Sequence, residues 1–194
     1  MRSTFYSPMK RAMIAILGVS LGLCLACTLL FAAGGGRWLY ACAITFGVVA
    51  YHMLIRFAAP GLLWLVFRRK YDIHHPWFRH RSWEPRLYER LRVQRWKGGV
   101  ASYDPREFSL EAHSLHEIAE NMCHAEAVHE VIILLSFTSL AWAIPFGDFG
   151  VFLLTAVAAA CVDGVFVIMQ RYNRPRIMAI LERREKRNKI QHRL

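Results

Sequence analysis

The strongest constraint on the fold is that the apolar residues form four long blocks with no amphipathic period. A helix of about 20 apolar residues crosses the ~30 Å hydrocarbon core of a bilayer. Hydrophobic residues make up 55% of the 194-residue chain, and their concentration in blocks is not the pattern of a soluble core. We therefore predict an all-α integral membrane protein built as a four-transmembrane-helix bundle. The predicted spans are residues 12–33, 38–67, 128–147 and 149–170.

The polar segments join these spans into one predicted membrane domain, residues 1–194. Residues 68–111 interleave aromatic with basic side chains, a mixture typical of the membrane-water interface. We predict an interfacial loop there, with a short surface helix from Pro85 to Trp96. Ser109 is the predicted N-cap of the third long helix. The tail, residues 171–194, is predicted to form a basic amphipathic helix.

Positive charges are concentrated before the first block, in residues 68–111 with 11 Lys and Arg, and in the tail with 9. The positive-inside rule then places both termini and the loop in the cytoplasm. This pattern predicts a multi-pass protein of the cell inner membrane or plasma membrane. The alternative for the first block is a cleaved signal peptide, because basic residues precede it and small residues end it.

The net charge of +11 limits the partners. Nucleic acid is not an expected partner, because the basic residues flank apolar blocks and form no separate basic domain. Anionic headgroups of membrane lipids are one expected partner. An acidic substrate carrier, coenzyme A or an acyl carrier protein, is the other. The sequence leaves the oligomeric state open.

Two polar residues precede the third apolar block on one helix face. Glu126 and His129 lie three positions apart, so the carboxylate can accept a hydrogen bond from the imidazole and fix its tautomer. An imidazole held in this way is suited to take a proton from a hydroxyl nucleophile. The alternative is a polar helix end that pairs with arginines of the loop.

The fourth apolar block ends in the string Gln-Arg-Tyr-Asn-Arg-Pro-Arg at residues 170–176. If spans three and four are antiparallel, this string and Glu126 meet at one membrane surface. Arginine binds phosphate or carboxylate with two parallel hydrogen bonds. Pro175 disfavours a helical conformation at Arg174, so we expect the helix to kink or restart there. An ordinary cytoplasmic arginine flank is the alternative.

Three polar residues interrupt the apolar blocks: His52, Arg56 and Asp163. An unpaired charge within a membrane span is costly. We therefore expect Asp163 to pair with Arg56, or with His52, in a structural rather than a catalytic role.

The nine histidines raise the alternative of a metal site. A membrane di-iron enzyme needs several closely spaced histidine groups, of which this chain has only part. A metal-dependent lipid-modifying enzyme would use His113, His116, His124 and His129. We predict no metal site, and no paired cysteine spacing indicates zinc.

Three short motifs give a resemblance to a known family. They are Arg95–Lys97, the Ala-Glu-x-x-His run at Ala125–His129, and the string at residues 170–176. Together with the basic tail, they resemble the glycosyl-diaponeurosporenoate acyltransferase family over roughly Arg92–Arg187. Its members are named for the last step of staphyloxanthin synthesis, in which a fatty acyl chain is esterified to a sugar hydroxyl of a glycosylated carotenoid acid.

The resemblance implies a membrane O-acyltransferase that moves a fatty acyl group from an activated donor to a hydroxyl of a lipid-linked sugar or similar lipid. His129 is then the expected base and Glu126 its orienting partner. Asn173 and Gln170 are expected to donate hydrogen bonds to the oxyanion. The residues expected to bind substrate or close the site are Arg171, Tyr172, Arg174, Arg176, Trp96 and Lys97.

The expected co-substrate is acyl-coenzyme A or an acyl carrier protein, with no further cofactor. The acceptor stays open between a glycosylated carotenoid and another glycolipid or polyisoprenoid. Besides the metal-dependent enzyme, a non-enzymatic membrane scaffold remains as an alternative function.

Overall fold

A computed structural model describes residues 8–68, 71–100 and 105–191. Within these ranges the chain forms helices and no β-strand, which confirms the predicted all-α class. The α-helices are α1 (Pro8–Ala32), α2 (Arg37–Phe67), α3 (Glu84–Arg90), α4 (Val93–Trp96), α5 (Leu115–Phe137), α6 (Ala143–Phe146) and α7 (Phe149–Gln191). Short 3-10 turns lie at Pro76–Phe78, Lys97–Gly99, Pro105–Phe108 and Thr138–Trp142.

Four helical stretches are long and apolar enough to cross a membrane, as predicted from the four blocks. The third and fourth are longer than the predicted 128–147 and 149–170, because the helices continue into polar sequence. In α1 only 6% of the most apolar window is buried within the protein. Lipid is the medium that can cover so much exposed apolar surface. The stretches are Pro8–Ala32, Arg37–Phe67, Leu115–Phe146 and Phe149–Gln191.

Some residues of the predicted charge and histidine pattern lie outside the described part of the chain. They are Arg2, Arg69, Lys70, His192 and Arg193.

The third long helix begins later than Ser109, the predicted N-cap. The backbone N–H of Glu117 donates to Ser114 Oγ at 3.2 Å, and the N–H of Ser114 donates to Glu117 Oε2 at 2.7 Å. This reciprocal pair is a capping box and satisfies two N–H groups at the start of α5. Ser109 Oγ instead accepts from the N–H of Glu111 at 3.2 Å, within the preceding turn.

The structure corrects one further local expectation and part of another. The surface helix predicted from Pro85 to Trp96 is divided into α3 and α4, because Arg92 adopts a left-handed conformation with φ 51°. Of the kink or restart expected at Pro175, the restart does not occur, since α7 is helical from Phe149 to Gln191, and the kink stays a prediction. Tertiary contacts of a helix override local propensity, and side chains on both sides of Pro175 make such contacts.

The described residues belong to two compact units. The first comprises those of Met1–Leu62 and Val131–Asp163, and the second those of Leu63–Glu130 and Gly164–Leu194.

In the first unit, Arg56 Nη2 donates to Asp163 Oδ2, which confirms the expected pair. Arg56 Nη1 also donates to the backbone oxygen of His52 at 2.7 Å. The side chains of Ile132 and Phe152 are almost fully buried in the same unit. The charges in these apolar blocks are therefore neutralised by each other, as a membrane span requires.

In the second unit, an apolar core lies beneath the loop that follows α2. Tyr71, Ile73 and Phe78 from the loop are buried against Ala119 and Cys123 of α5. Further side chains from α7 pack on this core: Ile177, Met178 and Leu181. The loop after α2 is thus a packed part of the second unit, and it positions the polar residues described next.

Candidate active site

Two carboxylates and two guanidinium groups form a buried network in the second unit. Glu84 is 1% exposed, Glu126 is 0% exposed and Arg174 is 3% exposed. Arg171 completes the network, with 15% of its side chain exposed. Ionised side chains are almost never this buried unless they are paired, and here the two positive and two negative charges balance.

Both oxygens of Glu126 accept hydrogen bonds from arginines of α7. Arg171 Nη1 donates to Oε1 at 2.5 Å, and Arg174 Nη1 donates to Oε2. Arg171 also forms a two-pronged contact with Glu84 Oε1, from Nε at 3.1 Å and from Nη2 at 2.6 Å. The helix that carries Glu126 and the end of the fourth apolar block therefore meet, as the sequence predicted for antiparallel spans.

The same arginines hold the backbone of the loop. Arg171 Nη1 donates to the carbonyl of Trp77 at 3.3 Å, and Nη2 donates to the carbonyl of Arg79 at 3.0 Å. Arg174 Nη2 donates to the carbonyl of Phe78. Three successive carbonyls at a 3-10 turn are thus satisfied by α7, and guanidinium geometry makes this possible because its five N–H donors form a rigid fork.

Glu84 is ionised at neutral pH. Burial raises the pKa of Glu84, but hydrogen bonds from Arg171 and Tyr88 lower it more, so the net pKa is below the usual 4.5. The Tyr88 hydroxyl donates to Glu84 Oε2 at 2.7 Å. Burial and then Glu84 raise the pKa of Tyr88, so this hydroxyl keeps its proton.

A second cluster surrounds the Tyr172 ring. Lys97 Nζ lies 4.8 Å from the ring centroid, and the Arg176 guanidinium lies 5.0 Å from it. Lys97 Nζ donates to Asn173 Oδ1 at 2.9 Å, and Arg176 Nη2 donates to the Tyr172 hydroxyl at 3.1 Å. Burial and then the charge of Arg176 lower the pKa of Lys97. The structure thus brings together four of the predicted site residues.

His129 lies one turn beyond Glu126 on α5. Its ring stacks on Phe166 of α7, with centroids 4.6 Å apart and planes 8° apart. This stack fixes the plane of the imidazole. Gln170, one turn beyond Phe166, is buried. Trp96 Nε1 donates to the backbone oxygen of Leu91 at 3.0 Å, so its indole N–H forms a hydrogen bond within the loop.

The predicted site residues have partners within the protein, and their expected catalytic and binding roles stay predictions. Glu126, expected to orient His129, has each oxygen bonded to an arginine. Arg171 and Arg174, expected to bind substrate, donate hydrogen bonds to buried carboxylates and loop carbonyls. Sequence reasoning also missed Glu84. The available signal was an acidic residue directly before Pro85, at the start of a helix in an arginine-rich loop.

Two further histidines of α5 have different partners. His116 Nδ1 lies 3.8 Å from Glu120 Oε2, and His124 Nδ1 lies 3.2 Å from the Tyr71 hydroxyl. Among the residues that the structure describes, no three or more His, Cys, Asp or Glu side chains are grouped so as to hold a metal ion. The alternative set of His113, His116, His124 and His129 is therefore not assembled as a group.

A pocket of about 400 Å³ adjoins the network. His80 lies on its wall, with Nε2 3.7 Å from Glu84 Oε2. The lining mixes apolar side chains with a few charged and polar ones, a composition common in ligand pockets. The lining residues are Ile73, His74, Phe78, Arg79, His80, Arg174, Pro175, Met178, Ala179 and Glu182.

The described chain is thus an all-helical protein with four candidate membrane-spanning helices and a buried ion network. Residues 74–183 match the sequence model of the glycosyl-4,4'-diaponeurosporenoate acyltransferase family. The match covers more than half of the 194 residues, and the chain belongs to this acyltransferase family of carotenoid biosynthesis. It begins before Arg92, where the motif resemblance began, and includes Glu84. No curated protein and no solved structure matches the chain.

Proposed function

We propose that the protein transfers a fatty acyl group from a thioester donor to a hydroxyl of a lipid-linked sugar, at the cytoplasmic surface of the membrane. Support comes from membership of the acyltransferase family and from the four candidate spans. A glycosylated carotenoid is the acceptor that the family description names. The donor is acyl-coenzyme A or acyl carrier protein, and it acts as a co-substrate.

In the proposed reaction, the hydroxyl oxygen attacks the thioester carbonyl and a carbon-oxygen bond forms. His129 takes the hydroxyl proton as general base. The tetrahedral intermediate collapses, the carbon-sulfur bond breaks and a thiolate leaves. The imidazolium returns its proton to the thiolate, so atoms and charges balance. No group beyond the donor and the acceptor is consumed.

Gln170 is the proposed donor to the oxyanion, because it lies one turn from Phe166, on which the His129 ring stacks. One such hydrogen bond contributes roughly 3 to 4 kcal/mol to lowering an acyl-transfer barrier. Asn173 was expected to share this role. It lies seven residues beyond Phe166, a helix rise of roughly 10 Å, and its amide oxygen accepts from Lys97, so we assign Asn173 to positioning Lys97 instead.

The single observation that carries the proposal is the Glu126 carboxylate bonded to Arg171 and Arg174. These bonds join α5, which carries His129, to α7, which carries Gln170. The same two arginines donate to the carbonyls of residues 77–79 and so hold the loop. Glu126, Arg171 and Arg174 are accordingly positioning residues, and they hold a base and an oxyanion donor in one arrangement.

Purified protein with His129→Gln tests the proposal. We expect transfer of a radiolabelled acyl group from acyl-coenzyme A to a glycosylated carotenoid acid to fall by roughly a hundredfold or more, the usual contribution of a general base. His116→Gln is the matched control, since His116 is an exposed histidine of the same helix. Equal activity of His129→Gln and wild type would contradict the assignment.

His80 provides a direct comparison. It is the histidine on the pocket wall beside Glu84. If His80→Gln abolishes transfer while His129→Gln does not, the base lies in the pocket and the assignment of His129 is wrong. If His129→Gln alone abolishes transfer, the proposed role stands.

A further inference from the structure

Two positively charged side chains, Lys97 and Arg176, lie over the ring of Tyr172. Cation-π contact attracts Lys97 and Arg176 to the ring, but two cations this close to one ring also repel each other. Arg176 is exposed and Lys97 is half-buried. An arrangement of this kind is stabilised by an anion that both cations can reach.

Within the described ranges, no carboxylate lies within ion-pair distance of Lys97 or Arg176. Arg171 and Arg174, on the same helix, differ because Glu84 and Glu126 neutralise them. The arginines of residues 170–176 therefore differ in function, according to whether a carboxylate neutralises them. The neutralised ones hold the structure, and the cluster at Tyr172 retains its positive charge.

The geometry along α7 relates this cluster to the reaction. Phe166, which stacks on His129, is ten residues before Arg176, a rise of roughly 15 Å in an α-helix. That separation matches the length of an extended pantetheine arm, which joins the thioester sulfur of a coenzyme A-type donor to its first phosphate. Asn173 Oδ1 holds Lys97 Nζ at the phosphate end of this path.

We propose that Lys97 and Arg176 bind a phosphate group, and that in the reaction this is the phosphate at the end of the donor's pantetheine arm. This inference rests on the proposed function. A primary ammonium and a guanidinium supply charge-assisted hydrogen bonds to phosphate oxygens, the strongest class of such bonds in proteins. Phosphate of a lipid headgroup has the same chemistry, and the experiment separates the two sources.

Binding of 4'-phosphopantetheine and of pantetheine to the full chain in a zwitterionic detergent tests the site without any turnover. The two ligands differ by the phosphate alone. We expect the wild type to prefer the phosphorylated ligand by roughly tenfold or more, and Lys97→Met with Arg176→Gln to lose that preference. The control is Lys186→Met with Arg183→Gln, which removes the same charge from exposed positions further along α7 and is expected to keep the preference.

Loss of the preference in both double variants, or no preference in the wild type, would overturn the donor site. For the lipid source, the same proteins are kept in micelles of a phosphate-free maltoside detergent with or without phosphatidylglycerol. If phosphatidylglycerol competes with the phosphorylated ligand only when Lys97 and Arg176 are present, lipid phosphate also occupies the site. If the Lys97/Arg176 variant binds phosphatidylglycerol more weakly than the wild type and neither protein prefers 4'-phosphopantetheine, the phosphate belongs to lipid and the donor assignment fails.

His129→Gln separates this inference from the proposed function. That variant is expected to lose transfer and to keep the preference for 4'-phosphopantetheine. If it keeps transfer, the catalytic assignment fails whatever the binding result. If it loses transfer and the wild type shows no phosphate preference, the phosphate site alone fails.

Discussion

At the scale of single residues, the arginines of residues 170–176 have two different roles. Arg171 and Arg174 neutralise buried carboxylates, whereas Arg176 keeps its charge at the surface of Tyr172. Breaking a buried ion pair is costly because the remaining charge has no water to solvate it. The consequences of removing each charge are therefore different and measurable.

Glu126→Gln removes the negative charge that faces two guanidinium groups. We expect the free energy of unfolding in detergent to fall by about 3–5 kcal/mol, the usual cost of breaking a buried pair. Glu120→Gln is the matched control on the same helix, because Glu120 is partly exposed and faces His116 across 3.8 Å. A loss of stability no larger than that of the control would show that Glu126 is not held as described.

The pairing of Glu84 makes the stability of the folded protein depend on pH. Because its pKa is lowered in the folded protein, its contribution is present above the usual 4.5 and is lost as the pH falls through the lower folded value. We expect Glu84→Gln to be less stable than wild type at pH 7 and to lose less stability on acidification. Thermal unfolding from neutral pH to below pH 4.5 measures this, with the exposed Glu89→Gln as control. Parallel curves for wild type and Glu84→Gln would contradict the pairing.

At the scale of elements, helix α7 holds the loop after α2 through side-chain hydrogen bonds to the carbonyls of that loop. Arg171 and Arg174 together reach three successive carbonyls, so the attachment of residues 77–79 depends on guanidinium geometry. Lysine has the same charge but cannot form these parallel bonds.

Arg171→Lys tests this attachment. We expect faster hydrogen exchange and faster proteolysis within residues 76–90, because the contacts to Glu84 and to the carbonyls of Trp77 and Arg79 are weakened. Arg183→Lys, an exposed change on the same helix, is expected to leave both rates unchanged. Unchanged protection of residues 76–90 in Arg171→Lys would show that the loop is held by its apolar core alone.

The charged pair in the first unit gives a second prediction at this scale. Asp163→Leu leaves Arg56 without its carboxylate, and we expect clear destabilisation of about 3–5 kcal/mol. Adding Arg56→Met removes the unpaired charge, so the double variant is expected to recover most of that loss. Thermal unfolding in detergent provides the comparison. A double variant less stable than Asp163→Leu would contradict a purely structural pair.

At the scale of the whole molecule, the arrangement of apolar residues in four blocks predicted the four helical spans, because crossing hydrocarbon demands long apolar runs. The meeting of Glu126 with the arginine string followed from antiparallel spans. The partners within the site did not follow. The sequence could not show that a loop carboxylate, Glu84, would share Arg171, since that contact joins residues 87 positions apart. Nor could local propensity show that α7 continues through Pro175, because tertiary contacts decide it.

The most direct measurement is a lipid profile of cells that carry the protein, lack it, or carry His129→Gln at the same level. We expect an acylated glycolipid in the first, and its loss with accumulation of the unacylated, glycosylated precursor in the other two. The mass difference between the two lipids would equal one fatty acyl group. Identical profiles in all three would contradict acyl transfer to a lipid-linked sugar.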